Sequence, residues 1–197
     1  MVMQVDTIHI RKKLKKKLDE LRYEHTLGVA FTAMSLAMRY EVDLYQAEMA
    51  GLLHDCAKCM SDEMKLKKCQ KYGIKISSTE QKNPSLLHSK LGAYLAKHKY
   101  GIDDSEICNA ILYHTTGRAN MTRLEQIIFV ADYIEPRRNK APNLSNIRKL
   151  AFEDIDQATC QIMKDTLFYL KKKNAIIDEE TAHAYEFYVS KDETSQL

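Results

Sequence analysis

The chain has no tryptophan, three prolines and six glycines in 197 residues. That is too little turn chemistry for an all-β fold, which needs a turn roughly every 8–12 residues. Strict two-residue alternation of apolar and polar positions is also scarce, so the expectation is all-α. A long apolar run is missing too. The best, 28–38, is interrupted by Thr32 and Ser35 and falls short of the ~18 residues a spanning helix needs. No apolar stretch follows the Lys-rich start, which argues against a secretory signal. The five cysteines are odd in number and irregularly spaced, which suits a reducing compartment better than a disulfide framework. The expectation is therefore a cytoplasmic protein with no membrane partner. A net charge of +3 is too small to call for a specific nucleic acid.

What is present is ordinary globular material, 45% apolar and 29% charged, long enough to bury one real core. Without repeat or linker, the expectation is a single domain over 1–197. Ile10, Leu14, Leu18 and Leu21 fall at helical spacing and give a basic helix over about 7–21. Its Arg11, Lys12, Lys13, Lys15, Lys16 and Lys17 read as a solvated face rather than an RNA site. An apolar helix runs from His25 to Tyr40. Asp43 and Gln46 make a capping-box pattern for a helix ending at His54-Asp55. Ser61 to Tyr72 is a polar helix stopped by Gly73, 74–84 a loop, and 85–100 a helix closed by Gly101. Asp103 to Glu106 caps a helix through Ile107, Ile111 and His114 that Gly117 ends. Thr122 and Glu125 box another, which Pro136 stops. An amphipathic helix over 154–173 and a last one from about 178, with a tail frayed from Ser190, complete the chain.

His54-Asp55 is the awkward feature. A polar pair that closes an apolar helix needs partners, and a metal ion would satisfy imidazole and carboxylate together. His25, His88, His114 and Asp132 each lie at or near a helix end in register with apolar neighbours, so a bundle can bring all six into one cavity. One such histidine alone is more often a satisfied core residue; four with two aspartates are not. Lys58 follows the pair by one turn. His114-Thr115-Thr116-Gly117-Arg118 joins a ligand to two hydroxyls and a guanidinium, and Arg137 and Arg138 follow Asp132. These groups suit phosphate.

The order His25, His54-Asp55, Asp132 resembles the HD superfamily of metal-dependent phosphohydrolases. The blocks 22–30, 50–58, 114–118 and 131–136 resemble its branch of symmetrical bis(5'-nucleosyl)-tetraphosphatases, over roughly 21–170. The resemblance implies an HD helical bundle with a metal site in its core and a C-terminal helix and tail beyond, at about 178–197. It implies two metal ions, iron first, with Mn, Co, Ni or Zn also suited to these ligands. His25, His54, Asp55 and Asp132 would hold one ion, His88 and His114 the other, and Asp55 would bridge. The implied reaction splits diadenosine tetraphosphate into two ADP with a water activated between the ions. Asp55, Lys58 and Arg118 would serve catalysis. Arg22, Lys58, Thr115, Thr116, Arg118 and Arg138 would hold the polyphosphate. Homodimerisation is a further implication. Ser89, Arg137 and Cys56 depart from the branch's wording, which has Gly, Gly and an aromatic at those places. Arg137 leaves open which arginine faces the substrate.

Other readings use the same residues. The metal set would also serve a nucleotidase or a cyclic-dinucleotide phosphodiesterase. A non-catalytic nucleotide- or RNA-binding α domain would use the basic first helix, but has no physical need for six intact ligands. Cys56-Ala57-Lys58-Cys59 is formally C-x-x-C, with no second pair for zinc and no βαβ context for redox chemistry. His9, His98 and His183 read as surface or packing residues.

Overall fold

The computed structural model describes residues 5–195. Most of its helices begin where short acidic or hydroxyl side chains take up the free N–H groups of a first turn. The elements are α1 (Thr7–Lys15), α2 (Glu20–Arg39), α3 (Leu44–Leu53), α4 (Asp62–Lys71), α5 (Ser78–Lys82), a 3₁₀ turn (Pro84–Leu86), α6 (Leu87–Tyr100), α7 (Ser105–Tyr113), α8 (Arg123–Ile134), α9 (Leu144–Glu153), α10 (Ile155–Lys172) and α11 (Glu179–Ser195). Asp19, Asp43, Asp104, Thr122 and Asp154 cap α2, α3, α7, α8 and α10 through their side chains. No strand occurs among the described residues, and none of their helices is long and apolar enough to cross a membrane.

Four boundaries differ from the sequence reading. The first helix stops at Lys15, because Asp19 accepts from the Arg22 N–H and starts α2 five residues before His25. The expected loop at 74–84 contains α5, opened by a Ser77–Glu80 capping box. The stretch before Asp154 forms α9, which buries Leu144, Ile147 and Ala151. α11 continues through Ser195 rather than fraying from Ser190, and residues 196–197 lie outside the described residues. Gly101 does close α6, at φ +75°.

α3 positions the site. Ala47, Met49, Ala50, Gly51, Leu52 and Leu53 are all buried, and a helix apolar nearly all round belongs in the middle of a core. It packs on α2, α7 and α8. Ala30, Ala33 and Ala37 on α2 face this small-residue helix from within the same core cluster, so the two axes come close. At Gly51 a Cβ would lie 2.7 Å from the Ala30 Cα. The C-terminal end of α3 thus carries His54-Asp55 into the interior. α6, α7 and α8 bring His88, His114 and Asp132 to the same place, and α10 packs on α8.

Candidate metal centre

Three histidines are held in the same way. His54 Nδ1 lies 2.7 Å from the Gly51 carbonyl, His88 Nδ1 2.6 Å from that of Ser85, and His114 Nδ1 2.7 Å from that of Ile111. A carbonyl only accepts, so each Nδ1 carries the proton and each neutral ring turns the Nε2 lone pair inward. The carbonyl three residues back is reachable because His54 and His114 directly follow the last turns of α3 and α7, while His88 opens α6 and reaches back into the 3₁₀ turn before it. His25 lies mid-turn in α2 and uses a side chain instead, with its Nδ1 3.1 Å from Glu135 Oε1. Glu135 is 1% exposed, and its Oε2 accepts from the Arg137 N–H at 2.8 Å. A Cβ at Gly28 would fall 2.5 Å from that oxygen, so the carboxylate fills the space that glycine leaves.

The four inward nitrogens surround Asp55. Its Oδ2 is 3.4 Å from His54 Nε2 and 3.8 Å from His25 Nε2, whereas its Oδ1 is 3.2 Å from His88 Nε2 and 3.6 Å from His114 Nε2. Each carboxylate oxygen therefore faces its own pair of histidines. Asp132 Oδ1 lies 3.0 Å from His25 Nε2 and 4.0 Å from His54 Nε2. The ligand atoms of His25, His54 and Asp55 lie within 4.8 Å of one another, as do those of Asp55, His88 and His114 and those of His54, His114 and Asp132.

These residues fit a cation by their own chemistry. His25 Nε2, His54 Nε2 and Asp55 Oδ1 are buried without a hydrogen-bond partner, a costly arrangement unless something positive lies between them. The His88 and His114 Nε2 atoms stand 3.1 Å apart, two lone pairs facing each other. Burial alone would raise the Asp55 pKa. The surrounding His54, His114 and His88 outweigh it and hold the group well below the usual carboxylate range. Asp132 is likewise lowered against its burial, by His25 and His54 with Arg138. Burial and the neighbouring His114 and Lys58 push His88 down to about 4, despite Asp55. The Nδ1 contacts thus aim each Nε2 at the centre, and the two carboxylates are held ionised, the form in which they ligate.

Cations line the mouth. Arg22 NH1 donates to Asp55 Oδ2 at 2.7 Å, and Arg138 NH2 to Asp132 Oδ1 at 2.7 Å. Lys58 Nζ is 3.1 Å from His88 Nε2 and 3.9 Å from Asp55 Oδ1, and burial lowers its pKa. Thr115 Oγ1 is 3.1 Å from both His88 and His114 Nε2. A cavity of about 780 Å³ opens here, lined by Arg22, Lys58, Thr115, Arg137, Arg138 and Lys140 beside His25, His114 and Asp132. Both arginines at the end of α8 line it, but differently. Arg138 turns in to Asp132, while Arg137 is more exposed and pairs with Glu24.

Two expected phosphate contacts lie elsewhere. Arg118 pairs with Glu125, its Nε 2.9 Å from Oε2, and lies over the Tyr113 ring at 5.0 Å. Glu125 is fully buried, and that carboxylate claims the guanidinium. The Thr116 hydroxyl donates to the Gly117 carbonyl and lines a separate cavity of about 260 Å³. Neither side chain lines the main cavity. Glu135 was missed as a site residue, and the only sequence signal was its place three residues after Asp132. Cys56 is buried against the Gly92 carbonyl while Cys59 is exposed, and both are free thiols. Ser89 is buried and donates to the Leu86 carbonyl. His9, His98 and His183 are exposed.

Comparison with known proteins agrees with this arrangement. The chain is 42% identical over 177 residues to the symmetrical bis(5'-nucleosyl)-tetraphosphatase of Bacillus subtilis, covering 90% of this chain and 94% of that protein. It is 37% identical to the Staphylococcus aureus protein of the same name over 185 residues, 93% of this chain and 94% of that one. A crystal structure from Clostridium acetobutylicum, described as an HD superfamily hydrolase involved in NAD metabolism, superposes with a TM-score of 0.92 at 38% identity. The match covers 96% of this chain and all of that one. The HD domain model matches residues 22–137, which span every histidine and aspartate of the cluster, and the chain belongs to the HD domain family.

Proposed function

We propose that this protein is a metal-dependent phosphohydrolase that cleaves diadenosine tetraphosphate symmetrically into two ADP. The observation that carries the proposal is Asp55, whose two oxygens face two separate histidine pairs beside a cavity rimmed with cations. That is the donor set of a two-metal phosphohydrolase site. The names of the Bacillus and Staphylococcus relatives, at 42% and 37% identity, supply the substrate.

In this reading His25, His54, Asp55 and Asp132 hold one ion, and Asp55, His88 and His114 the other. Iron is the ion the family resemblance favours. Two ions at such a site lower the pKa of a water and neutralise phosphoryl oxygens. The protein's own groups do the rest. Arg22 and Arg138 bring permanent charge to the two carboxylates and to the adjoining phosphates. Lys58, whose pKa burial lowers, is a better proton donor than a free lysine and is assigned to the departing phosphate oxygen. The Thr115 hydroxyl, between His88 and His114, offers a neutral hydrogen bond to the same anion. Water adds to one inner phosphorus, the bond to the central bridging oxygen breaks, and each half leaves as ADP.

The test is anaerobic purification, metal counting and chromatography of the products of diadenosine tetraphosphate. Two metals per chain with ADP as sole product is the expected outcome. ATP plus AMP would refute the bond assigned, and no turnover after iron or manganese reconstitution would refute the hydrolase.

A further inference from the structure

The cavity holds more than a polyphosphate requires. Its cations meet one end of a nucleotide, yet part of its wall is apolar. Phe129 and Tyr133 stand one turn apart on α8, Ile162 and Thr166 one turn apart on α10, and all four line the cavity. Phe129 and Ile162 are nearly closed off, at 7% and 1% exposure, and form a floor. Tyr133 is half-buried and follows Asp132 directly, so it adjoins the metal centre. The chain has eleven tyrosines, and among the described residues only Tyr133 lines this cavity. Others are engaged elsewhere. The Tyr40 hydroxyl donates to Ala151, the Tyr45 and Tyr188 hydroxyls accept from backbone N–H groups, and Tyr72 stacks on Tyr94.

Phosphates gain nothing from an aromatic face, whereas a flat heterocycle linked to them does. We propose that Tyr133, backed by Phe129 and Ile162, is the stacking platform for a nucleobase of the substrate, which rests on the nucleotide reading given above. Every base has a π-face, so such a platform tolerates a change of base. It recognises a nucleoside polyphosphate as a class.

The test compares two diphosphates that differ by the nucleoside. Binding of ADP and of inorganic pyrophosphate to the manganese-loaded protein is measured by calorimetry for wild type, Tyr133→Phe and Tyr133→Leu. Leucine keeps an apolar filler and removes the ring, so the comparison does not depend on a cavity mutant that fails to fold. Tyr133→Leu should weaken ADP about tenfold and leave pyrophosphate unchanged, while Tyr133→Phe matches wild type. The platform is refuted if Tyr133→Leu binds ADP as wild type does, or weakens both ligands alike. It is equally refuted if wild type holds ADP no tighter than pyrophosphate. A wild-type protein that binds ADP through Tyr133 but leaves diadenosine tetraphosphate intact would overturn the hydrolase and keep the platform.

Discussion

Glu135 shows what a single residue decides here. It accepts the His25 Nδ1 proton on one oxygen and the Arg137 N–H on the other, so it both fixes a ring and ties down the turn after α8. A carboxylate behind a ligating histidine orients the ring and raises its basicity. Glu135→Gln keeps the volume but has only one acceptor oxygen, so one of the two donors meets an amide N–H. The expected result is a 10–100-fold loss of manganese affinity, read by titration, with the helical circular dichroism unchanged. Unaltered affinity would show that the contact is packing alone. Five of the six candidate ligands could be read from the sequence because each stands at or near a helix end marked by a cap, a Gly or a Pro. His25 lies a turn and a half into α2 and could be read by its register with apolar neighbours. Glu135 could not, because its partner is 110 residues away and no local spacing pairs the two. Arg118 misled for a related reason. A guanidinium beside two threonines looks like a phosphate site until the buried carboxylate of Glu125, seven residues on, claims it.

At the scale of elements, the site depends on how closely α2 and α3 approach, since one carries Arg22 and His25 and the other leads into His54-Asp55. Gly51 permits that approach. Its missing Cβ would meet Ala30 backbone, 2.7 Å from Cα and 3.1 Å from N, and backbone cannot rotate away as a side chain can. Gly51→Ala should cost about 1–3 kcal/mol of stability, a fall of roughly 2–4 °C in Tm per kcal/mol for a chain of this size. Manganese affinity should drop with it, because separating the helices separates His25 from His54. A melting curve and a metal titration on the same variant check this, and a Tm equal to wild type would mean that the helices have slack. Apart from α5, elements with a side-chain cap were visible in the sequence. α9 was not, because its first turn follows Asn143, which has φ 58° and no side-chain cap hydrogen bond, so no start signal precedes it. α5 was hidden by its length of five residues.

Across the whole molecule, the candidate ligands come from α2, the end of α3, α6, the end of α7, and α8. A metal bound among them adds a tie between five helices that otherwise meet through apolar packing and a few polar contacts such as Arg22 with Asp55. The apolar core is extensive and separate from the ligands, and Arg22 and Arg138 neutralise the two carboxylates. The chelated chain should therefore stay helical while becoming less stable. A ligand that binds only the folded state at 100 times its Kd adds ~2.7 kcal/mol. Reloading the chelated protein with manganese should thus raise Tm by about 5–10 °C, with the increase growing with the logarithm of metal concentration. His54→Ala removes one of the buried, partnerless nitrogens at the centre of the cluster, so its melting temperature should barely respond to the metal. A wild-type Tm indifferent to manganese, iron and cobalt alike would mean that the cluster is a polar core stabilised by its arginines. The buried, partnerless His25 Nε2, His54 Nε2 and Asp55 Oδ1 argue against that, because Arg22 and Arg138 reach only Asp55 Oδ2 and Asp132 Oδ1.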